Sequence, residues 1–256
     1  MKNVYRLPNR VIQAVGLACV PLHEIGSDAP LARRPVAAAV ATVTQRDDGH
    51  VDVVATRLSD ARDLEFPLPH LLDRALMPGS MIIVSAADRA TLAADAMARR
   101  FFVEPRLARV VDGTDTVEPV ASILANPADE AQLCRRLGIP IDSSSDKEVE
   151  RIWSRHAPEP VEAIALGRAV SRLMLWAHIA SFRTASPEPF FETMLPLREW
   201  MDGQGEAAPT IYGWATSRPM MRAASFAGTY RDYRRRVAAG DTDAAWVSFE
   251  ENLLHT

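Results

Sequence analysis

Along the first 112 residues, short apolar runs alternate with polar breaks and with segments of helical spacing, the rhythm of an α/β protein. Arg10 to Val20 (RVIQAVGLACV) is small and β-branched and reads as a buried strand, with Pro35 to Thr44 as a second. Asp47-Asp48-Gly49 supplies a tight turn, and His50 to Leu58 then alternates apolar with polar, which together predict a hairpin. Leu64 to Leu76 has helical spacing, but Pro67 and Pro69 confine regular helix to its later part, and Pro78-Gly79 ends it. Ser80 to Ala86 (SMIIVSA) predicts another buried strand, Asp88 to Phe102 a helix with Asp88 as N-cap, and Arg106 to Asp112 a short fifth strand.

Helical patterns dominate the rest of the chain. Asp129 to Pro140 (DEAQLCRRLGIP) is a short helix with a Leu-Gly-Ile-Pro exit, Ile141 to Asp146 a Ser-rich loop, and Glu148 to His156 a short helix stopped by Pro158 and Pro160. Glu162 to His178 (EAIALGRAVSRLMLWAH) is a longer helix. Past Arg183 the composition shifts: Pro187, Pro189 and Pro196 recur, Asp202 to Pro209 (DGQGEAAP) reads as a mobile connection, and Ser225 to Ala239 is helical, with Asp241 to Leu254 after it. This divides the chain into a domain over 1–183 and a helical extension over 184–256.

Composition narrows the classes. The 256 residues are 48% apolar and 24% charged, ordinary for a globular protein with a sizeable core. A net charge of −4 gives no whole-molecule case for nucleic-acid binding. Basic character is almost wholly arginine, with lysine only at Lys2 and Lys147, a bias that favours planar phosphate or carboxylate contacts and that a GC-rich genome also produces. Cys19 and Cys134 fit no metal-ligand spacing and predict buried thiols rather than a disulfide framework. No signal peptide and no run of roughly 20 apolar residues is visible, so a cytoplasmic location without membrane attachment is expected.

The Leu-Gly-Ile-Pro element and the long helix after it, framed by Ala165 and Ala169, resemble the closing helices of the DEDD proofreading-type 3′–5′ exonucleases. The predicted order of strands and helices, over roughly residues 10–180, is similar to the ribonuclease-H-like fold of that superfamily. The resemblance implies a mixed five-stranded sheet flanked by helices, with the helical C-terminal extension appended. It also implies a two-metal site in which four carboxylates hold Mg or Mn about 4 Å apart and the ions neutralise the scissile phosphate.

The matching positions do not carry those carboxylates. Where the family has Asp-x-Glu on the opening strand, this chain has Ala18 and Val20; where an Asp comes after the fourth strand, Thr91; on the long helix, the His position is Ala163 and the last Asp is Arg168. A guanidinium competes with a divalent cation rather than binding it. The resemblance therefore implies a pseudoenzyme, with no metal cofactor, in which Arg168 serves as a fixed counter-charge for a phosphate. The alternative is an active exonuclease using displaced acids from Glu24, Asp88, Asp95 and Asp112, of which Asp95 is the better stand-in for Thr91 because residues four apart share a helix face.

Other features carry less. His23 with Glu24, and His156 near Glu159, have acid–base chemistry but no nucleophile at a recognisable spacing. Ser143-Ser144-Ser145 lacks the glycine and lysine of a phosphate cradle. In TYRDYRRRVAAG, Arg231, Arg234, Arg235 and Arg236 alternate with Tyr230 and Tyr233, a combination that holds single-stranded nucleic acid, or else a solvated helix face whose tyrosines pack inward. Trp214, Arg218, Met220, Met221, Arg222 and Phe226 have an interface-like composition that also suits packing of the extension onto the domain. The expected partner is a single-stranded nucleic acid or a protein; the oligomeric state is open.

Overall fold

The computed structural model describes residues 11–21, 33–46, 49–60, 66–99, 105–112, 117–119, 127–205 and 208–241. β1 (Val11–Pro21), β2 (Arg33–Gln45) and β3 (Val51–Ser59) form an antiparallel meander. Asp47 and Asp48 of the predicted turn lie outside the described residues, but Gly49, at φ +82°, closes it by donating to the Arg46 carbonyl. β4 (Met81–Val84) runs parallel to β1, and the three-residue β5 (Val117–Pro119) runs parallel to β4, giving the order β3-β2-β1-β4-β5.

β1 is buried along most of its length because both faces of the sheet are covered. Ile12, Ala14 and Ala18 face the core built with α6 (Pro158–Thr184) and α7 (Glu188–Asp202). Val15, Leu17 and Cys19 face a smaller core with α1 (Leu68–Ala75), α2 (Ala86–Arg99) and α3 (Pro105–Asp112). The alternation is the two-residue period of a strand, interrupted by an irregularity in the β1–β2 register between Ala18 and Cys19.

Residues 106–112, predicted as a strand, are helical. Leu107 and Val110, three apart, are buried together, and Pro105 suits a first helical position. The deciding contact is remote: Asp73 on α1 accepts from the backbone N–H groups of Arg106 and Leu107 at 2.7 and 2.8 Å, capping α3 from another helix. At α2 the cap is Ser85, whose hydroxyl accepts from the Asp88 N–H at 3.0 Å, rather than Asp88 itself.

α4 (Pro127–Leu137) and α5 (Asp146–Trp153) lead into α6, whose 27 residues make a rod about 40 Å long. Pro158, predicted to stop a helix, instead opens α6 at its first turn. The α6 backbone touches the sheet directly: a Cβ on Gly16 would lie 2.2 Å from the Ala165 carbonyl oxygen and 2.5 Å from the Ala169 nitrogen. Glycine on the strand and alanine at four-residue spacing on the helix are what that approach requires. After α6 come α7, α8 (Pro209–Trp214), α9 (Arg218–Ser225) and α10 (Ala227–Ala238). Phe190, Met194, Met220 and Tyr230 from these helices join the same core as α6. Among the described residues no helix is long and apolar enough to cross a membrane.

Candidate functional site

A cleft of about 400 Å³ opens where the chain leaves β4, beside the carboxyl half of β1. Crevices of this kind, at the carboxyl ends of adjacent parallel strands, are the usual ligand positions in α/β sheets. Its walls come from the start of β2, the β4–α2 junction, α4, the 141–144 segment and one face of α6. Four arginines (Arg33, Arg135, Arg168, Arg172) and three acids (Asp88, Glu130, Asp142) line it.

Arg172 occupies the floor. Its guanidinium donates to the Val15 carbonyl at 2.7 Å, to Asp88 Oδ2 at 2.5 Å and to Glu130 Oε1 at 3.0 Å. The Arg172 and Asp88 side chains are only 7% and 4% exposed, so water screens this pair little. Burial alone would pull the Arg172 pKa down; Asp88 and Glu130 more than offset it and leave the cation held above its ordinary value. Asp88 also accepts from the Leu17 N–H at 3.3 Å, so one carboxylate ties β1, α2 and α6 together.

Arg168, one turn earlier on α6, donates to the Leu17 carbonyl at 2.7 Å and to the Ser144 carbonyl at 2.5 Å. It fastens the 141–145 segment to β1. Arg33 makes a two-point pair with Asp146 at 2.6 and 2.9 Å, and Arg135 stands exposed at the rim. Cys19, on the opposite face of β1, is an inert thiol: burial, then the neighbouring Asp88 charge, pushes its pKa up to about 12.

The positions singled out in the sequence are partly gathered here. Arg168 meets β1 at Leu17, the residue before Ala18, which is buried on the α6 side; Val20 is half-buried near the strand end and Ala163 half-buried on α6. Thr91 is buried on α2 with its hydroxyl donating to the Ala87 carbonyl. Of the displaced acids, Asp88 lines the cleft, whereas Asp95 is buried further along α2 and Asp112 is exposed at the end of α3; Glu24 and His23 lie outside the described residues. Asp88, not Asp95, is thus the acid nearest the expected site, because the first turn of α2 points at β1.

Among the described residues the donor set does not suit a pair of divalent cations. Ala18, Val20, Thr91 and Arg168 offer no carboxylate, and the two carboxylates at the floor are engaged by Arg172. Among the described residues no three His, Cys, Asp or Glu side chains are grouped to hold a metal ion.

Arg172, Arg33, Glu130 and Arg135 were missed from sequence. Arg172 had a visible signal, a lone cation four residues after Arg168 inside the apolar run AVSRLMLWA. The other three had none, since their placement depends on chain folding.

On the tail helix the tyrosines pack inward while most of the arginines face outward. Tyr230 and Tyr233 are buried, Tyr230 stacked on Phe191 with ring centroids 4.6 Å apart and donating to Glu192 at 2.7 Å, so neither ring face is open to a base. Arg234 pairs with Glu188 at 3.2 Å and Glu192 at 3.4 Å; Arg231, Arg235 and Arg236 remain on the exposed face. Met220 is buried, and Trp214 packs against α6 at Gly167, which accounts for part of the interface-like composition by internal packing. Ser145 begins α5 through a capping box with Glu148, and exposed His156 stands just before α6 at φ +55°. No family model matches the chain, and no curated protein or solved structure matches it either.

Proposed function

We propose that this chain is a ribonuclease-H-like relative of the DEDD exonucleases that has lost metal-dependent cleavage and acts as a binding module, its cleft receiving a nucleic acid or a partner protein. The strand order β3-β2-β1-β4-β5, with β1 to β3 antiparallel and β4 and β5 parallel to β1, supports the fold reading. So does the direct seating of the Ala165–Ala169 face of α6 on Gly16.

The observation that carries the functional reading is Arg172 between Asp88 and Glu130. The guanidinium occupies the two carboxylates that could otherwise hold an ion, and it has no exchangeable water to activate. It cannot leave by losing its proton, since its pKa is raised. Arg168, on the same face of α6, is bonded to carbonyls rather than acids, and a guanidinium so placed is suited to a phosphate.

Incubating the protein with 5′-labelled single strands and Mn²⁺ or Mg²⁺ should leave the strands intact, and calorimetry with Mn²⁺ should show no saturable heat. A chelator-sensitive ladder of shortened products would overturn the reading and restore the displaced-carboxylate exonuclease. Arg168→Ala should weaken nucleic-acid binding and flatten its salt dependence by about one phosphate contact.

A further inference from the structure

Not all four cleft arginines are alike. Arg172 is held by two carboxylates, Asp88 and Glu130, and Arg33 by one, Asp146. Arg168 is held by two carbonyls, which fix its position without cancelling its charge, and Arg135 has no acid partner among the described residues. Asp142, the remaining acid of the lining, accepts from the Ser144 N–H at 2.9 Å and keeps its charge. The cleft is therefore divided: a tied floor in which two carboxylates hold one guanidinium, and a rim where, among the described residues, no carboxylate is bonded to Arg168 or Arg135.

We infer that this rim holds the phosphate of a phosphomonoester of about mononucleotide size, without metal, with Arg168 and Arg135 as its counter-charges. The inference rests on the cleft being a site that binds rather than cuts. A phosphomonoester presents three terminal oxygens, enough to accept from both guanidiniums at once, whereas an internal phosphodiester presents two. The volume of about 400 Å³ accommodates the group attached to the phosphate but closes at the Arg172 floor, which favours a small ligand or a strand end over a strand passing through. The exposed Ser143 hydroxyl and the half-buried Ser144 line the same wall as further hydrogen-bond partners.

Calorimetric titration of the full chain in EDTA with AMP, UMP and inorganic phosphate tests this. AMP and UMP should both give saturable binding, inorganic phosphate should compete with them, and Arg135→Glu should weaken binding by tenfold or more. Arg135 is exposed, so this variant should keep the wild-type melting temperature; Arg135→Lys should recover part of the affinity. Three results would overturn the inference: no saturable heat at millimolar ligand, unchanged affinity in Arg135→Glu, or nucleotide binding that inorganic phosphate does not displace. Because EDTA excludes metals, failure here with intact strands in Mn²⁺ removes only the phosphomonoester ligand. Cleavage in Mn²⁺ removes the binding-module reading itself.

Discussion

In the cleft, Arg172 is enclosed and bonded to three elements of the fold; on α10, Arg235 is 80% exposed and pairs with Asp232, one turn back on its own helix. Both belong to arginine-bearing helices that looked alike as charge patterns. What separates them is desolvation. A cation stripped of water and given hydrogen-bonded carboxylates becomes a rigid joint, while a solvated one contributes little to stability. The tail helix docks through its tyrosines and through Arg234, and the rest of its basic face is surface.

The largest effect should come from the joint. Arg172→Met leaves Asp88 and Glu130 facing each other with no cation, and should cost about 3–5 kcal/mol in urea denaturation. A loss below about 1 kcal/mol would mean that the cleft floor is wetter than the geometry indicates. In the tail, Tyr230→Phe keeps the stack on Phe191 and removes the hydroxyl that donates to Glu192, for a cost of about 1 kcal/mol by the same measurement.

Between the two regions lies His178 on α6, edge-on to Phe190 of α7. Burial, against the Met174 carbonyl and assisted by the nearby Arg222 charge, holds its pKa below the ordinary 6.5. The unfolded chain therefore takes the proton first, so stability should fall as pH drops below about 6.5 and level off only once the folded state also titrates. His178→Asn should flatten that part of a wild-type pH–stability curve; an unchanged slope would assign the acid sensitivity elsewhere. The smallest effect belongs to the exposed face of α10, where Arg235→Ala with Arg236→Ala should shift stability by less than about 0.5 kcal/mol.

Much of the architecture was legible along the chain. The four longer strands, the hairpin and the position of α6 come from apolar runs, an Asp-Gly turn and four-residue spacing of small residues, all properties of neighbouring residues. The absence of carboxylates at positions 18, 20, 91 and 168 was equally plain. Residues 106–112 were misread because their helix is capped by Asp73, more than thirty residues away, and the tyrosines of α10 were ambiguous until Phe191 and Glu192 met them.

By itself the sequence determined the run of elements and the chemical inventory, since local periodicity and composition depend on residues a few places apart. Only the tertiary structure decided which charges share a space: Arg172 reaches the carbonyl of Val15 across 157 positions, and Glu130 and Asp88 arrive from two other helices. An arginine's meaning lies in its dielectric surroundings and its partners, and those exist only once distant segments are packed together.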